Sequence, residues 1–121
     1  MNSPASPAAL IALDAIPDGG FAEVEAVVDD GDAESLLLYR DGGNVRAWLN
    51  ICPHAGRRLD WAPGQFLKSK DGLLVCAALG ASFELDGGTC VAGPCRGEAL
   101  RAVAVEVDAA GVVLAKARDR N

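Results

Sequence analysis

The feature that most constrains this chain is its punctuation: short apolar runs alternate with glycine–aspartate turns along most of its length. Pro17-Asp18-Gly19-Gly20 comes first, followed by Asp41-Gly42-Gly43, Asp86-Gly87-Gly88 and Asp108-Ala109-Ala110-Gly111. Such residues reverse the backbone cheaply, because glycine tolerates positive φ and aspartate hydrogen-bonds to its own local backbone. The runs between them are short for helices and suit strands. Strands are expected over 9–13, 21–28, 35–40, 44–51, 73–76, 81–85, 102–107 and 112–115. Asp41-Gly42-Gly43 between two of these runs is a strong hairpin signal. Val103, Val105 and Val107 alternate onto one face. Residues 23–28 also admit one short helical turn. The pattern predicts an all-β fold, an antiparallel sandwich or small barrel.

Two segments depart from that rhythm. Residues 1–8, MNSPASPA, are expected to be a flexible N-terminus ahead of a domain over 9–118. Residues 52–72 are irregular and interrupted by prolines and glycines. Long irregular loops in compact domains usually serve function.

A chain of 121 residues, half of them apolar, suffices for one domain with its own core. Only 5% are aromatic, so that core should be aliphatic. The formal net charge of −6 argues against a nucleic-acid face, which needs lysine and arginine to neutralise phosphates. It argues equally against docking on anionic lipid. No run approaches the ~20 apolar residues that span a bilayer. The N-terminal stretch lacks positive charge and is broken by Asp14 and Pro17, so it does not read as a secretory signal. A cytoplasmic setting is expected, where the four cysteines serve as ligands or thiols rather than stable disulfides.

Metal-capable residues concentrate in two short pieces. Cys52-Pro53-His54 sets a thiolate and an imidazole two positions apart, and Cys76-Ala77-Ala78-Leu79-Gly80-Ala81 supplies a second cysteine. Each piece begins where a strand-like run ends, which suits loops projecting from one end of a β scaffold. Here the sequence resembles the Rieske iron–sulfur family, whose pattern is Cys-x-His followed by Cys-x-x-His-Gly. The resemblance extends to Asn50-Ile51-Cys52-Pro53-His54, Gly80-Ala81-Ser82-Phe83, Asp86-Gly87-Gly88, Gly93-Pro94-Cys95 and the stretch 13–20. It covers roughly residues 9–115 and is nearest the small ferredoxin branch.

That resemblance implies a Rieske-like antiparallel β-sandwich or small barrel carrying a cluster-binding loop subdomain. It implies a [2Fe-2S] cluster, with Cys52, His54 and Cys76 as metal ligands and Gly80 and Cys95 as loop residues beside it. Such clusters use two thiolates on one iron and two histidines on the other. The implied role is an electron carrier, not an enzyme, between a reductase and a terminal oxygenase or reductase. No Ser/His/Asp arrangement, P-loop or dinucleotide fingerprint competes with it. Ala81 and Phe83 stand where high-potential members have serine and tyrosine, so hydroxyl hydrogen bonds to a cluster would be missing and its potential lower.

The departure is at Leu79, where the family places its second histidine. His54 is the chain's single histidine. Three readings stand. A two-iron cluster could take its fourth ligand from Cys95, Cys90, a carboxylate such as Asp60, or solvent. A mononuclear ion such as zinc could use Cys52, His54 and Cys76. Or the domain is metal-free and serves as a binding module, with Cys52 and Cys76 near enough for a disulfide and Leu79 packed over the site. Arg57, Arg58 and Arg96 form either a docking patch for an acidic partner or a solvated basic face. Trp48 and Phe83 are expected in the core; Trp61 either caps the site or anchors its loop.

Overall fold

The computed structural model describes residues 8–27, 33–51, 58–62, 64–76, 80–93 and 96–115. Within them the chain forms β1 (Ala8–Ala12), β2 (Phe21–Ala26), β3 (Glu34–Asp41), β4 (Asn44–Leu49), β5 (Leu67–Lys68) and β6 (Leu74–Val75). β7 (Ser82–Phe83), β8 (Cys90–Ala92), β9 (Ala102–Val103), β10 (Val105–Val107) and β11 (Val112–Ala115) follow. The described helical structure is one 3-10 turn, Leu13–Ala15. No described helix is long and apolar enough to cross a membrane. The strands make three sheets, ordered β1-β11-β10, β2-β3-β4-β9 and β5-β6-β7-β8, with every pairing antiparallel. The all-β expectation holds.

β3 explains the arrangement. A strand with one face in water alternates apolar and polar residues; a strand covered on both faces reads as a continuous apolar run. Leu36, Leu37 and Leu38 are all fully buried. Leu38 and its β4 neighbour Ala47 join Ile16 and Val113 in one core, lined by Leu10, Ile11, Val24, Val103, Val105 and Val107. Leu37 and its neighbour Trp48 join a second core on the opposite face, with Leu59, Leu74, Cys76, Ala81, Phe83, Leu85, Cys90 and Leu100. The central sheet is therefore packed on both sides. Trp48 sits in its core because residue 88 is glycine: a Cβ there would lie 2.6 Å from the indole Nε1. Trp48 and Phe83 are core residues, as expected.

The β3–β4 hairpin turns at Gly42-Gly43, with Asp41 opposite Asn44. Its tip is tied to the N-terminal segment: Asp18 Oδ1 accepts from the Gly42 N–H at 2.8 Å, and Arg40 donates to the carbonyls of Leu13 and Ile16.

Three details differ from the sequence reading. Residues 23–28 hold no helical turn where described; Phe21–Ala26 pairs with β3 throughout, because cross-strand partners outweigh local propensity. The run 102–107 is divided between β9, which pairs with β4, and β10, which pairs with β11, so the chain changes sheets at Ala104. Its three valines still line one core. β5 and β8 lie outside the runs expected to be strands.

β5 lies in the segment 52–72, which is thus not wholly irregular, and it helps fasten the third sheet to the second. Phe66 meets Phe21 with ring centroids 5.6 Å apart, and Phe21 meets Tyr39 at 5.3 Å. Lys68 Nζ lies 5.2 Å from the Tyr39 ring centroid and donates to the Gly19 carbonyl.

Candidate metal centre

The two motif segments leave the scaffold where the sequence places them, after β4 and after β6. Cys52, His54, Arg57, Leu79 and Cys95 lie outside the described residues, and so do the ideas of a Cys52–Cys76 disulfide and of Leu79 as a cap. The roots of the segments that carry them are described, and they converge. Leu59, just beyond the first segment, is fully buried in the same core as Cys76 and Ala81, which bracket the second.

The described ends of the second segment are hydrogen-bonded to each other. The Cys76 N–H donates to the Ala81 carbonyl at 2.7 Å, and the Gly80 N–H donates to the Cys76 carbonyl at 2.7 Å. Cys76 is fully buried, while Gly80 is exposed. Gly93, where the third segment begins, lies against Ala81, where the second ends. A Cβ at Gly93 would lie 2.7 Å from the Ala81 Cα, and Gly93 has φ +101°, so any side chain there is excluded twice. The Arg96 N–H donates to the Gly93 carbonyl at 3.2 Å.

Beside the first segment lies a polar network. Asn50 is the one polar residue buried as a whole among the described residues. Its Oδ1 accepts from the Leu59 N–H at 2.9 Å, and its Nδ2 donates to Ser35 Oγ at 3.1 Å. Ser35 Oγ donates to Glu23 Oε2 at 2.6 Å. Arg58 Nη2 donates at 2.7 Å both to that same Glu23 oxygen and to Asp60 Oδ2, and Arg58 Nε donates to Asp60 Oδ1 at 3.0 Å. The Gly64 N–H also donates to Asp60 Oδ2.

Burial by itself would raise the Asp60 pKa. The hydrogen bond from Arg58, then that from Gly64, the Arg58 charge and the Asn50 amide outweigh it and hold the carboxyl below its ordinary value. Arg58 is correspondingly held in its charged form, first by its bond to Asp60 and then by that to Glu23.

These contacts bear on the alternative donors. The Asp60 side chain is 1% exposed, and both of its oxygens accept hydrogen bonds, from Arg58 and Gly64. Cys90 is buried in the core, with Sγ donating to the Ala92 carbonyl. Arg58, partly exposed, is paired with both Glu23 and Asp60. Trp61 is 58% exposed, and its backbone N–H donates to the Gln65 carbonyl. With Ile51 it leaves apolar surface on both flanks of the first segment. Ala81 and Phe83 are fully buried and have no hydroxyl to offer. The network around Asn50 was missed from sequence. Its signal was a polar residue following the apolar Ala47-Trp48-Leu49 of β4, two positions before Cys52.

A match to the family described as the Rieske [2Fe-2S] domain spans residues 9–114. The chain belongs to the Rieske [2Fe-2S] domain family. Among solved structures, this Rieske domain is similar to the ferredoxin of carbazole 1,9a-dioxygenase from Nocardioides aromaticivorans IC177. Identity is 24% and the TM-score 0.71, over 93% of this chain and 99% of that one. It is also similar to the terminal oxygenase of carbazole 1,9a-dioxygenase from the same organism, at 25% identity and TM-score 0.75, over 97% of this chain but 31% of that one. A third similar chain belongs to the complex of reduced oxygenase and oxidized ferredoxin in carbazole 1,9a-dioxygenase, at 22% identity and TM-score 0.66, over 93% of this chain and 95% of that one. No curated protein matches the sequence closely enough to count as a relative.

The family implies a [2Fe-2S] cluster, and donor chemistry tests the fit. A Rieske centre needs two cysteines and two histidines. Cys52, His54 and Cys76 occupy three of those motif positions; the fourth is Leu79, a hydrocarbon, in a chain with one histidine. The residues at the motif do not make the full Rieske set. Among the described residues no group of three or more His, Cys, Asp and Glu side chains gathers as a metal site.

Proposed function

We propose that this Rieske domain, spanning residues 9–118 behind a flexible N-terminus, is a small electron-transfer component of ferredoxin type with an altered ligand set. In this reading Cys52, His54 and Cys76 are its metal ligands, and Gly80 and Cys95 line the site. It carries electrons rather than catalysing a reaction, in the cytoplasm, between a reductase and a terminal oxygenase or reductase. The observation that carries the reading is the extent of the family match, which runs through all three sheets and both motif segments. The similar ferredoxin, matched over nearly its whole length, supports a carrier role, and the similar ferredoxin–oxygenase complex supports the choice of partner. Exposed Ile51 and Trp61 beside the first motif segment suit a protein contact there.

With Asp60 held by Arg58 and Gly64, and Cys90 turned into the core, Cys95 is the best remaining donor for the position of Leu79, with solvent next. Cys95 stands two positions after Gly93, whose backbone lies against Ala81.

A second reading is favoured by one observation, the hydrocarbon at 79: a metal-free or mononuclear domain used as a binding module. Anaerobic purification, cluster reconstitution, visible absorption and low-temperature EPR after dithionite reduction separate the two. A coloured, EPR-active natural chain that bleaches in Cys95→Ser supports the altered ligand set. A colourless, EPR-silent chain that gains colour only as Leu79→His overturns the carrier reading. One zinc per chain in place of iron assigns a mononuclear site.

A further inference from the structure

We propose that Asn50 is a positioning residue, whose buried amide holds the two ends of the segment carrying Cys52 and His54 together without help from a metal. Asn50 stands before that segment and Leu59 after it, and the bond from the Leu59 N–H to Asn50 Oδ1 joins them directly. The Asn50 backbone is fixed as well, its N–H donating to the Ser35 carbonyl at 2.9 Å. The Nδ2 bond to Ser35 Oγ orients the amide, and Ser35 is in turn fixed to Glu23. Arg58 reaches the same Glu23 oxygen, so the far side of the segment is tied to the strand that steadies the near side.

The anchors lie on β2 and β3, regular strands paired along their lengths, rather than on loops. A constellation supported by regular elements keeps its geometry better than one supported by loops. A buried amide with its partners in place is also a strong specifier, because each broken bond strands a polar group away from water. Among the described residues, every buried side-chain nitrogen and oxygen has a partner. The clamp therefore needs no metal to complete it, and it is independent of what stands at position 79. That Cys52 and His54 are ligands rests on the function proposed above; the clamp itself does not.

Amide hydrogen exchange by NMR on metal-free protein tests this. In the natural chain the Leu59 amide should be protected and should stay so when metal is added. In Asn50→Ala it should exchange about tenfold faster or more, while the amides of Leu37 and Trp48 keep their relative protection. An unprotected Leu59 amide that becomes protected only with metal overturns the proposal, and so does an Asn50→Ala variant with unchanged exchange. Should Asn50→Ala fail to fold, the natural chain's own rates decide.

A second readout separates positioning from general stability. Cobalt(II) is titrated and its thiolate charge-transfer band followed. Asn50→Ala should bind it roughly 10–100-fold more weakly. Ile16→Val, in the other core, should lower the melting temperature without that loss. Equal cobalt affinity in both variants overturns the positioning role. A natural chain that binds no cobalt and assembles no cluster defeats the metal-site reading, leaving exchange to judge the clamp.

Discussion

β3 runs for eight residues and commits both faces to packing, whereas β5, β6 and β7 run for two residues each. The first belongs to the pair of sheets that makes the body of the domain; the others belong to the small sheet that bears Cys76. In the body, order comes from long antiparallel ladders and from a strand covered on two sides. In the small sheet, ladders are too short to suffice. There, order comes from hydrogen bonds between the ends of short segments, from Gly93 seated against Ala81, and from one shared core. The comparison separates what keeps the fold from what shapes the site. A change in donors at the site does not touch the ladders that hold the body.

Trp48 is where the two regions meet, since it lies on β4 but packs into the core of the small sheet. Trp48→Ala should cost about 3–5 kcal/mol in urea or thermal unfolding and loosen both regions together. Independent melting of the two, seen as separate transitions, would show that the shared core does not couple them.

Gly93→Ala probes the site region alone. Its positive φ and the close Ala81 backbone should make the change cost about 1–3 kcal/mol. NMR shifts should concentrate around residues 76–81 and spare β2 and β3; shifts spread across the body would erase the distinction drawn here.

Acid tests the polar bridge between the regions. Asp60 is held below its ordinary carboxylate range in the folded protein. Its contribution to stability is thus complete above about pH 4, the unfolded value, and is lost as pH falls through the lower folded value. Asp60→Asn should reduce stability at pH 7 by ~1 kcal/mol and make the decline below pH 4 shallower. Urea midpoints measured from pH 7 to pH 2.5 check both. An unchanged acid limb would remove Asp60 from the bridge.

The smallest effect is expected at Lys68, at the aromatic junction of β5 with the body. Lys68→Ala should cost roughly 0.5–1 kcal/mol, readable as a small fall in melting temperature.

Much of the body was determined by sequence alone. The Asp-Gly-Gly turns set where the chain reverses, and alternation at Val103, Val105 and Val107 assigned a face, because both signals are local and repeat with the strand period. The motif pair and the absent second histidine were also legible, since ligand chemistry depends on residue type and spacing. Tertiary structure decided the rest. It divided 102–107 between two sheets, turned a three-leucine run into a strand buried on both faces, and built β5 and β8 outside the expected runs. It also decided that Asp60 and Arg58 belong to a structural network and that Asn50 bridges residues nine positions apart. Hydrogen bonds between strands leave no periodic trace in sequence, because their partners are brought together only by the fold.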